Sequence, residues 1–477
     1  MAPGNCPENH STWNTWLAYV EEVARADAIE RELVLMRESR SWKLTAPLRA
    51  AMRFLGGSQA ASQQPGRPEL RRPAPSHPAS AIEVQLPGPL DRILSRAMTR
   101  DGMPRIYVDV TPLELEDLGA GIQRVTRRVL GAMFADPDIP FAPMPVCLRS
   151  DGHYYLAHGF LERFLGLPTG VLGGEERIAA ESGDVMLGLD LCREFAGVLG
   201  PAWASLRQAG IPVLPVVYDI LPVERPDWFP GRVSRELQQW LDTVSAHADL
   251  AICISGATRD SFVRTLTSSA RNVPPVAVVP MGADGLHGAI PASMPRGRSP
   301  RQVLMVGTIE PRKGHGDVLD AFDRLWAGGC DTRLVIVGHA GWKVDPLLRR
   351  IRKRARNCDR LAWFEHADDR VLQGLYLSSS LLVAASEGEG FGLPILEAAA
   401  AGCRLLLRDL PVFREVAGAG ARYFTGSEDL EAALRQFSDD VAGWPAPPPA
   451  RELPSWNDTA KAICAHAARI TSRSAEP

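Results

Sequence analysis

The sequence predicts an α/β protein: two doubly wound domains in tandem, facing each other across a cleft, with a helical extension before them. Three observations carry this expectation. From residue 302 onward, short apolar runs alternate strictly with amphipathic stretches, the βαβα order of a parallel sheet covered by helices. The apolar runs lack a period of two, as strands buried on both faces do. A proline-bearing stretch, Pro291 to Pro300, then separates one such series from the next. The 477 residues leave room for two to three domains at roughly 150 residues each.

Residues 1–56 make up the extension. Trp13, Trp16, Leu17, Val20, Val23, Ile29, Leu33 and Met36 recur at helical spacing. Between Arg31 and Arg53 six basic residues stand against two acidic ones, with Trp42 and Leu44 among them. Such a basic amphipathic stretch suits a membrane surface or a partner protein, so residues 11–56 are the candidate contact to either. Residues 57–103 follow as a Pro-rich linker, with Pro65, Pro68, Pro73, Pro75 and Pro78 among Gly, Ser and Gln.

The first α/β domain is expected over 104–290. Its strands fall at 106–110, 142–149, 153–157, 183–188, 211–217, 249–254 and 276–280. Helices are expected at 122–134, 190–198, 202–209, 232–247 and 255–266. The second domain spans 301–440, with strands at 302–307, 332–337, 361–365, 381–385, 403–407 and 421–424. Helices at 316–328, 345–356, 368–377, 393–402, 411–417 and 428–437 alternate with them, and a last helix lies within 455–472. A doubly wound sheet binds its ligand at the carboxyl ends of its strands, so the loops there deserve the closest reading.

Composition excludes several classes. Lys and Arg number 53 against 56 Asp and Glu, a net charge of −3, which speaks against a general nucleic-acid binder. The 8 Cys are scattered without a C-x-x-C pair, fitting a reducing cytosol better than a disulfide framework or a zinc knot. No apolar run approaches the roughly 18 residues of a membrane span, and the N-terminus lacks the basic-then-apolar order of a secretory signal. A cytoplasmic chain is expected, peripheral to the inner face of the cytoplasmic membrane if residues 11–56 bind lipid. The 10 His include no H-E-x-x-H, so no metal site is expected. Absence of G-x-S-x-G and of a Walker lysine disfavours hydrolase and P-loop chemistry.

Two loops stand out. Ser386-Glu-Gly-Glu-Gly-Phe-Gly-Leu-Pro-Ile-Leu-Glu397 lies where a strand ends and a helix begins. Gly390 and Gly392 allow close backbone approach to a ligand, and Pro394 suits the first helical turn. The free N–H groups of that turn form an anion site suited to phosphate. Glu389 falls in the loop and Glu397 one turn into the helix, which brings two carboxylates near one ligand. The second loop, Val306-Gly-Thr-Ile-Glu-Pro-Arg-Lys-Gly-His315, leads from a strand into a helix at the same edge. Arg312 and Lys313 there can hold a diphosphate and neutralise charge on a leaving group. His315 and His339 also follow strands, and either line the cleft or serve plain loops.

Residues 302–425 resemble the nucleotide-sugar-binding half of retaining GT-B glycosyltransferases of family 4, of the mannosyltransferase-like type that builds bacterial surface polysaccharide. Glu389-Gly-Phe-Gly-Leu-Pro-Ile-Leu-Glu397 matches that family's E-x7-E signature, and Gly307 to Gly314 resembles its phosphate loop. The resemblance implies two Rossmann-like domains. It further implies that Glu397 bonds the ribose hydroxyls, Glu389 approaches the donor sugar, and Lys313 with Arg312 contacts the diphosphate. Gly307, Thr308, Gly390, Phe391, Gly392 and Leu393 complete the implied donor site. Thr308 departs from the Arg that many members carry there, and Arg312 is the candidate substitute. On the acceptor side, Asp109-Val-Thr-Pro with Gly119-Ala-Gly-Ile-Gln-Arg124 resembles the first strand and glycine loop, marking Gly119 and Gly121. Val217-Tyr-Asp-Ile-Leu-Pro resembles a segment where many relatives have His-Asp, so Tyr218 replaces the His while Asp219 remains. Ile254 to Asp260, Val279 to Asp284 and Ser455 to Ala460 also match. Ser39 to Arg49 is similar to tracts found beside bacterial surface-polysaccharide glycosyltransferase domains.

The function so implied is transfer of a hexose, with GDP-mannose the favoured donor, onto a lipid-linked or surface polysaccharide acceptor. No cofactor is required, and the departing phosphate assists proton removal, so no residue is assigned as general base. The competing expectations are a rhamnosyl or other 6-deoxyhexosyl transferase, a non-catalytic GT-B module in a polysaccharide-assembly complex, and a sugar phosphorylase.

Overall fold

The computed structural model describes residues 102–117, 121–284, 298–440 and 443–474. The expected N-terminal helices, the linker through residue 101 and Gly119 lie outside the described residues. Within them the two expected domains are present.

The first domain is built on a seven-stranded sheet. Its strands are β1 (Arg105–Asp109), β2 (Ala142–Leu148), β3 (Tyr154–Leu156), β4 (Val185–Gly188), β5 (Val213–Val217), β6 (Ala251–Cys253) and β7 (Val276–Val278), in the order β3-β2-β1-β4-β5-β6-β7. Every pairing is parallel except the hairpin of β2 with β3. β1, β2, β4, β5 and β6 are almost wholly buried, which is why their sequences read as unbroken apolar runs.

The second sheet has six strands: β8 (Ser299–Val306), β9 (Arg333–Val337), β10 (Leu361–Phe364), β11 (Ser379–Ala384), β12 (Arg404–Arg408) and β13 (Arg422–Phe424). Their order, β10-β9-β8-β11-β12-β13, is wholly parallel and reverses direction between β8 and β11. That reversal is the switch point at which a doubly wound sheet leaves its ligand crevice. The loops after β8 and β11 are the two that stood out in the sequence. The two-domain arrangement is the GT-B fold.

One local expectation is corrected. Residues 196–208 form a single helix with Pro201 inside it, where separate helices were expected at 190–198 and 202–209. Pro201 is the sixth residue of that helix, and Leu199, Ala202, Trp203 and Leu206 bury one face, so packing carries the helix through the proline.

The chain crosses between the domains twice. The last helix, α1 (Trp456–Ser474), returns to the first domain and packs Trp456, Ala460, Ile463, Cys464 and Ala467 into its core. The two crossings are laced together. Ala283 N donates to Pro454 O at 2.8 Å, Trp456 N to Asp284 Oδ1 at 2.6 Å, and Thr459 Oγ1 to Pro280 O at 2.9 Å. Gly282 permits this lacing, since a Cβ there would lie 2.7 Å from the Ser455 carbonyl carbon. Gly282→Ala is therefore expected to cost about 1–3 kcal/mol by overpacking, read as a lowered midpoint of thermal unfolding and earlier proteolysis around residue 455.

Candidate functional site

The loop after β8 supplies the cations. Pro311–Lys313 is one 3-10 turn, and Gly314 leaves it at φ +71°, a left-handed conformation that glycine adopts without strain. A Cβ there would also come within 2.9 Å of the Ala385 carbonyl carbon, so the turn is pressed against the end of β11. Arg312 and Lys313 consequently face the loop after β11. Lys313 Nζ donates to Glu389 Oε1, as does Ser386 Oγ at 2.7 Å. Arg312 Nη1 donates to Glu389 Oε2 at 2.9 Å and to Gly388 O at 2.7 Å, while Nη2 pairs with Glu310 at 2.8 Å. The neighbouring Gly307 lies close under the Lys313 stem. Thr308 Oγ1 meets His339 Nε2 at 3.3 Å, which sets His339 at the rim of the same loop.

Electrostatics follow from this packing. Burial alone would raise the Glu389 pKa, but Lys313 and Arg312 outweigh it and hold the carboxyl at about 2. Burial would lower Arg312, and Glu389, Glu310 and Asp219 together push it up instead. Glu310 and Asp219 are both raised, chiefly by burial and in spite of Arg312. Asp219 belongs to the first domain, so this charge cluster spans the cleft. Among the described residues no three His, Cys, Asp or Glu side chains group as metal ligands, and the positive charge facing Glu389 comes from Arg312 and Lys313.

The loop carrying Glu389 is seated on the first domain by its backbone. Gly390 O accepts from Ser255 Oγ at 2.7 Å and Thr258 Oγ1 at 2.9 Å. These hydroxyls stand at the start of α2 (Gly256–Ser268), where Ser255 is also the N-cap that bonds Thr258 N. Any Cβ at Gly390 would strike the Tyr218 carbonyl, lying 2.9 Å from its carbon, so only glycine fits. Glu415 closes the seam from the second domain, its carboxylate accepting from Gly256 N at 2.7 Å and Ala257 N at 3.1 Å. A carboxylate on two free N–H groups of a helix start is favoured by the helix dipole as well. A further strap joins Trp342 Nε1 to Trp228 O at 2.7 Å and Lys343 Nζ to Phe229 O at 2.7 Å.

Glu397 lies in the helix α3 (Leu393–Ala400), entered through Gly392 at φ +102°. It is buried, and Tyr376 Oη donates to its Oε2 at 2.8 Å. Arg124 of the first domain donates to its Oε1, also at 2.8 Å.

The structure thus brings together Glu389, Arg312, Lys313, Gly307, Thr308 and Asp219, with Glu397, Gly392 and Leu393 one turn away. It places two expected residues differently in kind. The Tyr218 phenol turns into its own domain and donates to Leu189 O at 2.6 Å, so only its backbone carbonyl borders the cleft. Phe391 is buried and packs with the apolar core of the first domain. Gly121 is exposed at the start of its helix. Sequence reasoning missed Ser255 and Thr258, Glu415, Tyr376 and the part of Arg124. Ser255-x-x-Thr258 is a helix-start signature that was legible, whereas the others depend on domain pairing.

His315 is a buried oddity beneath the site. Both ring nitrogens are buried without a hydrogen-bond partner, and burial together with Lys313 lowers its pKa to about 3.

Comparison with known proteins agrees with the GT-B fold. Residues 290–441 match the family described as glycosyl transferases group 1. The chain is 32% identical over 369 residues to a serotype-specific mannosyltransferase WbdA of Escherichia coli, covering 73% of this chain and 45% of that protein. It therefore spans less than half the length of that relative. Over 145 residues it is 31% identical to an O-antigen chain mannosyltransferase B of Escherichia coli, covering 29% of this chain and 37% of the relative. Among solved structures, Anabaena HepE in complex with UDP and glucose superposes with a TM-score of 0.51 at 15% identity, covering 78% of this chain and 98% of that one. Likeness at that identity speaks to fold.

Two predictions follow from the charges. Glu389 gains its stabilising interactions only when ionised, so its contribution is complete above its unfolded pKa of 4.5 and is lost as pH falls toward about 2. Glu389→Gln leaves Lys313 and Arg312 under-compensated in a buried place. It should lower stability by about 3 kcal/mol near pH 7, with the gap to wild type narrowing between pH 5 and pH 2 in denaturant titrations. His315 acts in the opposite sense, because its neutral form is the one the fold holds. Below its unfolded pKa of 6.5 the unfolded chain takes up the proton and stability falls. Wild type should lose about 2 kcal/mol between pH 6.5 and pH 5 through this group, and His315→Leu should flatten that slope.

Proposed function

We propose that this chain is a retaining glycosyltransferase that moves a hexose from a nucleotide sugar, GDP-mannose being the favoured donor, onto a lipid-linked or surface polysaccharide acceptor. The observation that carries the reading is the cluster of Glu389, Lys313 and Arg312 at the switch point of the second sheet, with Asp219 facing it from the first domain. The mannosyltransferase names of the relatives support the sugar, and the family matched by residues 290–441 supports the reaction class.

Each residue has a part in this reaction. Lys313 and Arg312 neutralise the diphosphate as the sugar–oxygen bond breaks, aided by the N–H groups at the start of α3. Lys313 is the more exchangeable of the two, since Arg312 is tied to Glu310 and Gly388 as well. A diphosphate that draws Lys313 away leaves Glu389 ionised and free to accept hydroxyls of the donor sugar and to face the positive charge developing on it. Glu397 takes the ribose hydroxyls, Gly307 and Thr308 give the backbone close to the phosphates, and Asp219 with Tyr218's carbonyl borders the acceptor. The seam through Gly390 and Glu415 excludes water, which limits hydrolysis of the donor. Departing phosphate oxygen takes the acceptor's proton, so no side chain is assigned that task. Residues 11–56 are the proposed contact to the membrane surface or to a partner protein.

Mass-spectrometric screening of nucleotide sugars for consumption, with a lipid-linked acceptor, tests the reading directly. GDP-mannose should be consumed, and a 6-deoxyhexose nucleotide consumed in its place would move the donor assignment. Lys313→Ala and Glu389→Ala should each lower transfer at least about 100-fold; undiminished transfer by Glu389→Ala would remove it from the mechanism.

A further inference from the structure

Resting on the glycosyltransferase reading, we propose that Arg124 is a positioning residue for the donor, holding Glu397 Oε1 across the cleft and yielding that oxygen to the ribose as the nucleotide enters. The partners of Glu397 and Arg124 support it. Glu397 is 8% exposed, and both of its oxygens are engaged: Oε2 by Tyr376 and Oε1 by Arg124. The two partners differ in what domain opening does to them. Tyr376 is wholly buried in the same domain as Glu397 and keeps its place, so it orients the carboxylate whatever the cleft does. Arg124 stands on α4 (Gly121–Ala135) in the other domain, so its bond breaks when the domains part.

There is no room for a ribose while that bond stands. The cavity between Arg124, Glu397, Leu393, Gly282 and Trp456 measures about 10 Å³, the size of one water and far below the roughly 300 Å³ of a small-molecule site. Two of its walls, Gly282 and Trp456, belong to the laced crossings that join the domains. The guanidinium also has a place to go. Asp369 lies 3.8 Å from Arg124 and already accepts from Arg128 at 3.1 Å. A short slide along α4's face exchanges one carboxylate for another, and the buried cation is never left unpaired. One oxygen of Glu397 thereby couples nucleotide entry to release of the cross-cleft bond.

Calorimetric titration of the full chain with GDP and with UDP, alongside kcat and KM for the donor consumed, tests this. Arg124→Gln removes a competitor for Glu397, so nucleoside diphosphate should bind about tenfold more tightly, because less affinity is given up to the closed, unliganded form. That bond is already released once the donor is bound, so the same variant should lower KM for the donor. Arg124→Lys, which keeps the charge without the fork, should bind nucleoside diphosphate with an affinity between those of wild type and Arg124→Gln. Asp369→Asn removes the second carboxylate and should weaken nucleotide binding severalfold. Weaker binding by Arg124→Gln, matching that of Glu397→Gln, would make Arg124 a direct nucleotide ligand and overturn the proposal; so would unchanged binding. Failure of wild type to bind any nucleotide would instead overturn the glycosyltransferase reading, and needs no variant to detect.

Discussion

The arrangement of this molecule depends on one backbone contact: the Gly390 peptide lying against the Tyr218 carbonyl, with its own oxygen held by two hydroxyls of the opposite domain. Loops at the edge of a parallel sheet are ordinarily free to move. Here the loop is pinned at the residue beside Glu389, so the position of that carboxylate is defined relative to both sheets at once. Glycine is required because an added methyl group has nowhere to go. Hydroxyls at the start of α2 suit the task because they satisfy the foreign carbonyl while still capping their own helix.

Charge is what this pinning makes affordable. Arg312 and Lys313 together carry two positive charges, while Glu389, Glu310 and Asp219 offer three carboxyl groups in one buried space. Glu310 and Asp219 have raised pKa values chiefly through burial, which the cations offset only in part and to which the Glu389 charge adds. Glu389, bonded by three donors, takes the larger share of the cations. Such a cluster contributes little net stability, since desolvation offsets most of the Coulombic gain. Its value lies in holding charged groups in place without water.

Much of this was legible in the sequence. The second domain was read nearly strand for strand, because wholly parallel sheets leave long apolar runs and their helices keep a clear period. The Glu389 to Glu397 loop was legible because glycines, a helix-start proline and two carboxylates at fixed spacing have few other uses. What escaped was whatever depends on pairing between distant segments. Arg124 and Glu397 are 273 residues apart, and no local pattern connects them. Tyr218 stood among the acceptor-side residues because it replaces a His, yet strand position alone does not reveal which way a side chain at the strand's end turns.

The laced crossings have a consequence for the chain's topology. Because α1 returns to complete the first domain's core, residues 298–440 are an insertion into that domain rather than its successor. The inserted part is one continuous stretch and can be excised or exchanged as such. The host domain is discontinuous, and it cannot finish assembling until the inserted domain and α1 have been synthesised.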